Sequence, residues 1–231
     1  MNIIILKESE LKEGRAEVSG RRLKHLKETL KKNDGDELKA GVLGGKLGTA
    51  QVEQVGEEKA VLMFTPDNDP PAPLNVRLTI ALPRPKVLRR VLYTLTCLGV
   101  KDIHIFNSWR VEKSYWSSPL LEGIDDFLIP ALEQAKDTIL PTVTFHRLFT
   151  PFIRETLPEI SRDTLRLAAH PAGSPLKSRP QEAVTLVIGA EGGFIQKELD
   201  TLEETGFSFF SFGERVLNVE SAVPYILGRL L

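Results

Sequence analysis

Residues 185–194 read TLVIGAEGGF, an apolar run that leads directly into the glycine-rich stretch 189–193. The run predicts a buried strand, and a helix is predicted from about Gln196. Glycines at such a junction let a ligand approach bare backbone N–H and C=O groups. The glycine spacing is neither that of a dinucleotide-binding fingerprint nor that of a P-loop. Because Glu191 would repel a phosphate, the loop favours a neutral or cationic ligand. A tight turn without a ligand is the alternative.

Two further loops also follow predicted strands. Residues 211–222 read SFGERVLNVESA, and residues 168–174 read AAHPAGS. Ligands bind at the carboxyl ends of parallel strands, so the three loops together predict one crevice. The apolar residues of the first loop would either form a pocket wall for an aromatic base or anchor the C-terminal helix. For the lone His170, a hydrogen-bonded structural role is favoured over that of a base.

The chain after residue 75 alternates between strand and helix patterns. Repeated strand–helix units with apolar strands predict an α/β fold with a mostly parallel sheet covered on both faces. The predicted strands are 76–82, 102–106, 141–145, 164–169, 183–188 and 208–211. The predicted helices are 86–98, 120–139, 149–157, 197–205 and 221–231.

The stretch TPDNDPPAPLN, residues 65–75, separates this region from the N-terminal part. Its prolines cannot continue a helix or a central strand. We therefore predict two domains, at residues 1–70 and 74–231. One helix at 20–32 and five short strands predict a small β-barrel in the first domain. The strand candidates are 3–6, 15–18, 36–40, 46–55 and 59–64.

Composition excludes several classes of protein. The 231 residues are 42% hydrophobic and 26% charged, which excludes disordered and low-complexity chains. The single cysteine, Cys97, excludes a disulfide framework, and four scattered histidines give no reason to expect a metal. No run approaches the roughly 20 apolar residues that span a bilayer. The N-terminal sequence MNIIILKESELKEG predicts a first strand and not a signal peptide. We expect a cytoplasmic protein with no membrane partner.

Positive charge is concentrated in one segment. The whole chain has a formal net charge of −1, but residues 77–118 carry eight basic and two acidic side chains, a net charge of +6. Trp109, Tyr115 and Trp116 lie in the same segment. Cations interleaved with aromatic residues are typical of a polyanion-binding surface. A solvated helix face followed by a loop is the alternative.

Two C-terminal motifs resemble those of the SPOUT methyltransferases. These motifs are IGAEGGF at residues 188–194 and FGERVLNVESA at residues 212–222. The closest branch is the bacterial small-subunit (16S) rRNA uridine-N3 methyltransferase family. HLKETLKKNDGD at residues 25–36 resembles its N-terminal RNA-binding helix and turn, and Glu133-Gln-Ala135 resembles its E-Q-x signature.

The resemblance implies a fold and partners. The fold would be a PUA-like β-barrel followed by an α/β domain with a C-terminal trefoil knot. The cofactor would be S-adenosyl-L-methionine, bound within the knot, and the protein would be a homodimer. The substrate would be ribosomal RNA or the small ribosomal subunit. Competing hypotheses are an enzyme of the same fold with another RNA target, and an RNA-binding homologue without catalytic activity.

The resemblance also assigns residues. Arg215 would stabilise negative charge on the target uracil, Asn218 stands where the family has a second arginine, and Glu220 would accept a proton or, preferably, fix Arg215. The cofactor would be held by Ala169, His170, Ile188, Gly189, Glu191, Gly192, Phe212, Gly213, Val216, Leu217, Ser221 and Ala222. RNA would be held by Arg22, Lys31, Arg84, Lys86, Arg89, Arg90, Arg110 and Lys113.

Three other departures from the family pattern are milder. Ala190 replaces a proline, Lys113 replaces an arginine, and Ser221 replaces a threonine. Lys113 keeps the charge but loses the guanidinium fork. Trp109 or Trp116 would stack a base, and either would serve equally as a core or dimer-interface residue.

Overall fold

The computed structural model describes residues 2–176 and 178–230. Its internal contacts divide the chain into two units. The first unit contains residues up to Ala72 together with Leu128–Leu140, and the second contains Pro73–Phe127 together with the residues from Pro141 onward.

The first unit is built on a six-stranded sheet in the order β1-β4-β5-β6-β3-β2, in which only the β1–β4 pair is parallel. In β3 the buried residues alternate with exposed ones, so one face of the strand packs on the core. Helix α1 (Gly20–Lys24) continues as a π-helical turn (His25–Thr29) and buries Leu23 and Leu26. The strands are β1 (Ile4–Leu6), β2 (Leu11–Lys12), β3 (Arg15–Ser19), β4 (Glu37–Val42), β5 (Leu47–Val55) and β6 (Lys59–Asn68).

The second unit is built on a six-stranded, wholly parallel sheet in the order β12-β10-β11-β7-β8-β9. All five residues of β11 are buried, as expected of a central parallel strand, so the α/β prediction is confirmed. The strands are β7 (Val76–Ala81), β8 (Asp102–Phe106), β9 (Thr142–His146), β10 (Leu165–Pro175), β11 (Val184–Ile188) and β12 (Ser208–Ser211). The helices are α2 (Pro85–Cys97), α3 (Asp125–Ala135), α4 (Phe149–Pro151), α5 (Leu157–Ile160), α6 (Gln196–Glu204) and α7 (Val219–Leu230), with a π-helical turn at Phe152–Thr156 joining α4 to α5.

Several predicted boundaries are wrong. The helix predicted over 20–32 ends at Thr29, before Lys31 adopts a positive φ of 50°, and the five strands predicted in the first domain lack the short β2. The single helix predicted over 120–139 is instead a 3-10 turn (Pro119–Leu121) followed by α3, which ends before Lys136 adopts a positive φ of 57°. Strand β6 continues through Pro66 to Asn68, where β5 pairs with it. Because β3 pairs with β6 only as far as Met63, no neighbouring strand on that side requires an N–H from Pro66. Strand β10 continues past Ala169 because a bulge lets it resume pairing with β12 at Ser174.

The predicted domains are 1–70 and 74–231, but the segment Leu128–Leu140 belongs to the first unit and not to the second. The backbone N–H groups of Asn2 and Ile3 donate to the Glu133 carbonyl at 2.9 and 3.2 Å. The Arg21 guanidinium also pairs with the buried Glu133 carboxylate at 2.6 Å. These contacts explain why the part of α3 from Leu128 onward belongs to the first unit.

Candidate functional site

A cavity of about 360 Å³ lies at the carboxyl ends of β11 and β12 and beside the bulge in the middle of β10. We call it the crevice; its walls come from residues 169–171, 188–194, 210–217 and the start of α7, with Arg110 completing the rim. All the residues predicted to hold a cofactor line the crevice except Ser221. The prediction that the three segments meet in one crevice is therefore confirmed, but residues 168–174 lie within strand β10 and not in a loop after it.

The first wall is the glycine loop, residues 189–194. Gly193 has a φ of +66°, and its N–H donates to the Ala190 carbonyl at 2.8 Å. The Glu191 carboxylate accepts from the backbone N–H of Arg84 at 3.0 Å. The Arg110 guanidinium donates to the Gly192 carbonyl. Each half of the loop is thereby tied to a neighbouring segment, which fixes the backbone groups facing the crevice.

Glu198 anchors this wall and is absent from the sequence predictions. Its side chain is buried, at 3% exposure, and sits in the first turn of α6. One carboxylate oxygen accepts from the Ile195 N–H at 2.9 Å, and the other accepts from the Trp109 N–H at 2.7 Å. An acid three residues after a helix's capping position is a sequence signal for the first bond. The second bond joins positions 89 residues apart, which no local pattern shows.

The opposite wall is the open loop, residues 212–217. Gly213 has a φ of +111°, Val216 is 84% exposed, and Arg215 is exposed as well as lining the crevice. The ring of Phe212 packs edge-on against Phe210, with centroids 4.7 Å apart. The loop therefore offers apolar surface and one cation to the crevice from a solvent-exposed backbone.

Asn218 and Glu220 do not line the crevice. Asn218 caps α7: its side-chain oxygen accepts from the Ser221 N–H at 2.8 Å. The Glu220 carboxylate accepts from the Arg90 guanidinium at 3.1 Å. Glu220 thus pairs with Arg90 and not with Arg215, so its predicted contact with Arg215 is wrong.

His170 lies inside β10 and lines the crevice. Its Nδ1 accepts from the Ala172 N–H at 3.3 Å, and its ring meets Phe209 edge-on with centroids 6.0 Å apart. Burial lowers the pKa of His170 below its ordinary value. These contacts agree with the favoured interpretation, a hydrogen-bonded structural histidine.

Several of the predicted RNA-binding residues make contacts within the protein, although most of them are also exposed. Arg90 and Arg110 are held by Glu220 and Gly192 as described above, and Arg89 lies over the Phe127 ring at 5.9 Å. In the first unit, the Arg22 guanidinium donates to both Glu10 carboxylate oxygens at 2.6 and 2.7 Å. This pairing raises the pKa of Arg22 and gives the side chain a structural role within the first unit. The exposed members are Lys31, Arg84, Lys86, Arg89, Arg90, Arg110 and Lys113.

The two tryptophans differ. The Trp116 indole N–H donates to Asn107 Oδ1 at 3.0 Å, the Phe145 ring meets it edge-on, and the Arg147 guanidinium lies 5.3 Å from its centroid. Trp109 is 79% exposed. The side chain of Trp116 is occupied within the protein, whereas that of Trp109 faces solvent.

No helix in the described ranges, 2–176 and 178–230, has the length and apolar character needed to cross a membrane.

A parallel α/β sheet with a glycine-walled crevice at its carboxyl edge, beside exposed cations, is typical of enzymes that bind a nucleoside-containing ligand. Residues 70–231 match the family model described as an RNA methyltransferase domain. The chain is 30% identical to ribosomal RNA small subunit methyltransferase E of Treponema pallidum, over 96% of this chain and 87% of that protein.

Solved structures agree with this assignment. A methyltransferase from Legionella pneumophila, solved with bound S-adenosylmethionine, superposes with a TM-score of 0.79 at 25% identity, covering 99% of this chain and 96% of that one. Ribosomal RNA small subunit methyltransferase E of Neisseria gonorrhoeae, also bound to S-adenosylmethionine, superposes with a TM-score of 0.76 at 21% identity, covering 99% and 95%. The chain therefore belongs to the RNA methyltransferase family that includes the small-subunit methyltransferases E, and the resemblance to the small-subunit rRNA methyltransferases is confirmed.

Proposed function

We propose that this protein uses S-adenosylmethionine to methylate N3 of a uridine in small-subunit (16S) rRNA. The observation that carries the proposal is the crevice itself, because the two C-terminal segments that resemble the family's motifs both line it, in a chain that belongs to an RNA methyltransferase family. The same residues would hold the cofactor, the target base and the charge that develops between them.

The crevice suits S-adenosylmethionine. Glycine backbone on one side and the apolar Phe212, Val216 and Leu217 on the other suit a flat adenine. The lining also holds one carboxylate, Glu191, which suits the positive sulfonium, and two cations, Arg110 and Arg215. When bound, S-adenosylmethionine supplies an electrophilic methyl group.

Arg215 is the proposed catalytic residue. Uracil N3 becomes nucleophilic when it loses its proton, and the resulting negative charge spreads over O2 and O4. A guanidinium held at the crevice would stabilise that charge by roughly 3 kcal/mol. Asn218 and Glu220, at the start of α7, would act as positioning residues, because one caps the helix and the other binds Arg90.

The finer architecture forms part of the proposal. We infer a PUA-like barrel for the first unit and a trefoil knot for the second from the family resemblance. The six-stranded, mostly antiparallel sheet of the first unit and the position of β10 between β11 and β12 are compatible with these features. A homodimer is proposed from α2 and α7, which pack together and expose Tyr93, Leu98 and Tyr225. Because the substrate would be ribosomal RNA, we infer a cytoplasmic location.

Nucleoside analysis of 16S rRNA tests the proposed function. Cells that lack the protein should lack one 3-methyluridine, which returns on expression of the wild-type chain and not of the Arg215→Ala variant. A different methylated nucleoside would contradict the N3 assignment, and an unchanged nucleoside profile would contradict the proposed rRNA activity.

A second candidate function is RNA binding without catalysis. It is favoured by Asn218, whose side-chain oxygen is engaged in capping α7 where the family places an arginine. Calorimetry separates the two functions, since a non-catalytic homologue need not bind S-adenosylmethionine.

A further inference from the structure

Trp109 is an exposed tryptophan on an ordered loop. Its side chain is 79% exposed, although large aromatic side chains are usually buried. The loop follows β8, where the Asn107 N–H donates to the His146 carbonyl at 2.9 Å and the Val111 N–H donates to the Ser108 carbonyl at 3.0 Å. The exposure of the indole is therefore not the result of an unanchored backbone.

The same loop is fastened to the rim of the crevice at two successive residues. The Trp109 N–H donates to the buried Glu198 carboxylate at 2.7 Å. The next residue, Arg110, donates to the Gly192 carbonyl and packs so closely that a Cβ built on Gly192 would lie 3.0 Å from its side chain. Trp109 is thus held beside the crevice, and its ring is left free.

The surroundings of Trp109 indicate the chemistry of its partner. It lies in the segment 77–118 with its net charge of +6, and Arg84, Arg110 and Lys113 of that segment are exposed. A ligand that presents both negative charge and a flat ring surface is a nucleic acid with unpaired bases. Trp116 cannot take this role because its ring and indole N–H are already in contact with other residues.

We propose that Trp109 is a stacking platform for an unpaired base of the substrate RNA, and that Glu198 is the positioning residue that fixes this platform at the rim of the crevice. The proposal rests on the proposed RNA substrate and adds a binding residue that the motifs of the family do not contain. Because every base has a π-face, the platform holds RNA next to the crevice whatever the neighbouring sequence.

The protein contains two tryptophans, which makes a fluorescence test possible. The Trp116→Phe variant retains Trp109 alone, and the matched Trp109→Phe variant retains Trp116 alone. Titration with a short, unstructured, uridine-rich RNA should quench the first variant strongly and the second weakly. Equal quenching in both, or none in the first, would overturn the proposal.

Affinity and activity provide the second measurement. Trp109→Ala should raise the KM for RNA and the RNA Kd by about 10- to 100-fold, with S-adenosylmethionine affinity and oligomeric state unchanged. Trp109→Phe should retain most of the affinity. Unchanged RNA affinity in Trp109→Ala, or a change in oligomeric state instead, would overturn the proposal.

Glu198 has its own readout. In the Trp116→Phe background, Glu198→Gln should lower the fluorescence anisotropy of Trp109 and raise the KM for RNA more than it changes kcat. An unaltered anisotropy would remove Glu198 from the proposal. If the wild type binds RNA through Trp109 but transfers no methyl group, the proposed function fails and the stacking platform stands. If the wild type methylates RNA and Trp109→Ala does so equally well, the proposed function stands and the stacking platform fails.

Discussion

The glycine loop and the open loop face each other across the crevice, yet they are built differently. The glycine loop is fastened at Glu191 and Gly192 and braced by the buried Glu198. The open loop exposes Arg215 and Val216. One wall is therefore held by contacts with neighbouring segments, whereas the other presents Arg215, the proposed catalytic residue, on an exposed loop.

Removal of the cation from the open loop should have the largest effect. Arg215→Ala should lower kcat at least 100-fold, about 3 kcal/mol of transition-state stabilisation, with little change in melting temperature because the side chain is exposed. Arg162→Ala, an exposed arginine outside the crevice, is the charge-matched control. Steady-state methyl-transfer assays give the kcat of both variants. Equal rates in the two variants would contradict the role of Arg215.

Acid should weaken the scaffold behind the glycine loop. Burial, followed by the charge of His104, lowers the pKa of His146 from 6.5 to about 4. Between pH 6.5 and 4 the unfolded chain binds a proton that the folded chain does not, so the free energy of unfolding should fall as pH drops through this window. Because solvent screens this partly exposed ring, we expect the fall to be about 1–2 kcal/mol.

A second loss should follow at lower pH. Hydrogen bonding by His104, then Arg77, lowers the pKa of Asp102 from 3.8 to about 2, so stability is lost further between those values. Urea denaturation at a series of pH values checks both steps. His146→Gln, which keeps a polar side chain that does not titrate, should flatten the step above pH 4; an identical profile in the variant would exclude His146 as its source.

A pair of glycine variants compares the two walls directly. Gly193 and Gly213 both have positive φ, and a Cβ at either would meet no atom within 4 Å. Gly193→Ala should lower the free energy of unfolding by about 1–2 kcal/mol, because the fastened loop cannot relax the strain. Gly213→Ala should lower the free energy of unfolding clearly less, because the open loop can rearrange. Denaturation curves that rank the two in the opposite order would break the comparison.

Replacement of Asn218 should have a small effect on stability. Asn218→Arg removes the cap of α7, which should cost about 1 kcal/mol and lower the melting temperature by a few degrees. The added cation beside the open loop should raise the rate of methyl transfer. Asn218→Asp keeps the cap without the cation and serves as the control. A fall in activity without unfolding would contradict a catalytic benefit from arginine at this position.

The sequence predicts the parallel sheet and the place of the crevice because both depend on local patterns, whereas the individual crevice residues are assigned by the family resemblance. Apolar runs such as β11 and glycines directly after them identify a strand and a ligand-facing turn within ten residues. The contacts that fix the site join distant positions: Glu198 binds Trp109 across 89 residues, and Glu220 binds Arg90 across 130. Pairings of this kind depend on the tertiary fold and have no periodicity to detect.

The assigned cofactor crevice is tested most directly by calorimetric titration of S-adenosylmethionine. The wild-type chain should bind one molecule per crevice, and Ala222→Phe, which places a ring on the crevice-lining face of α7, should weaken binding at least 100-fold while the fold remains intact. Wild-type protein that does not bind S-adenosylmethionine, or an Ala222→Phe variant that binds it as tightly as the wild type, would contradict the assignment.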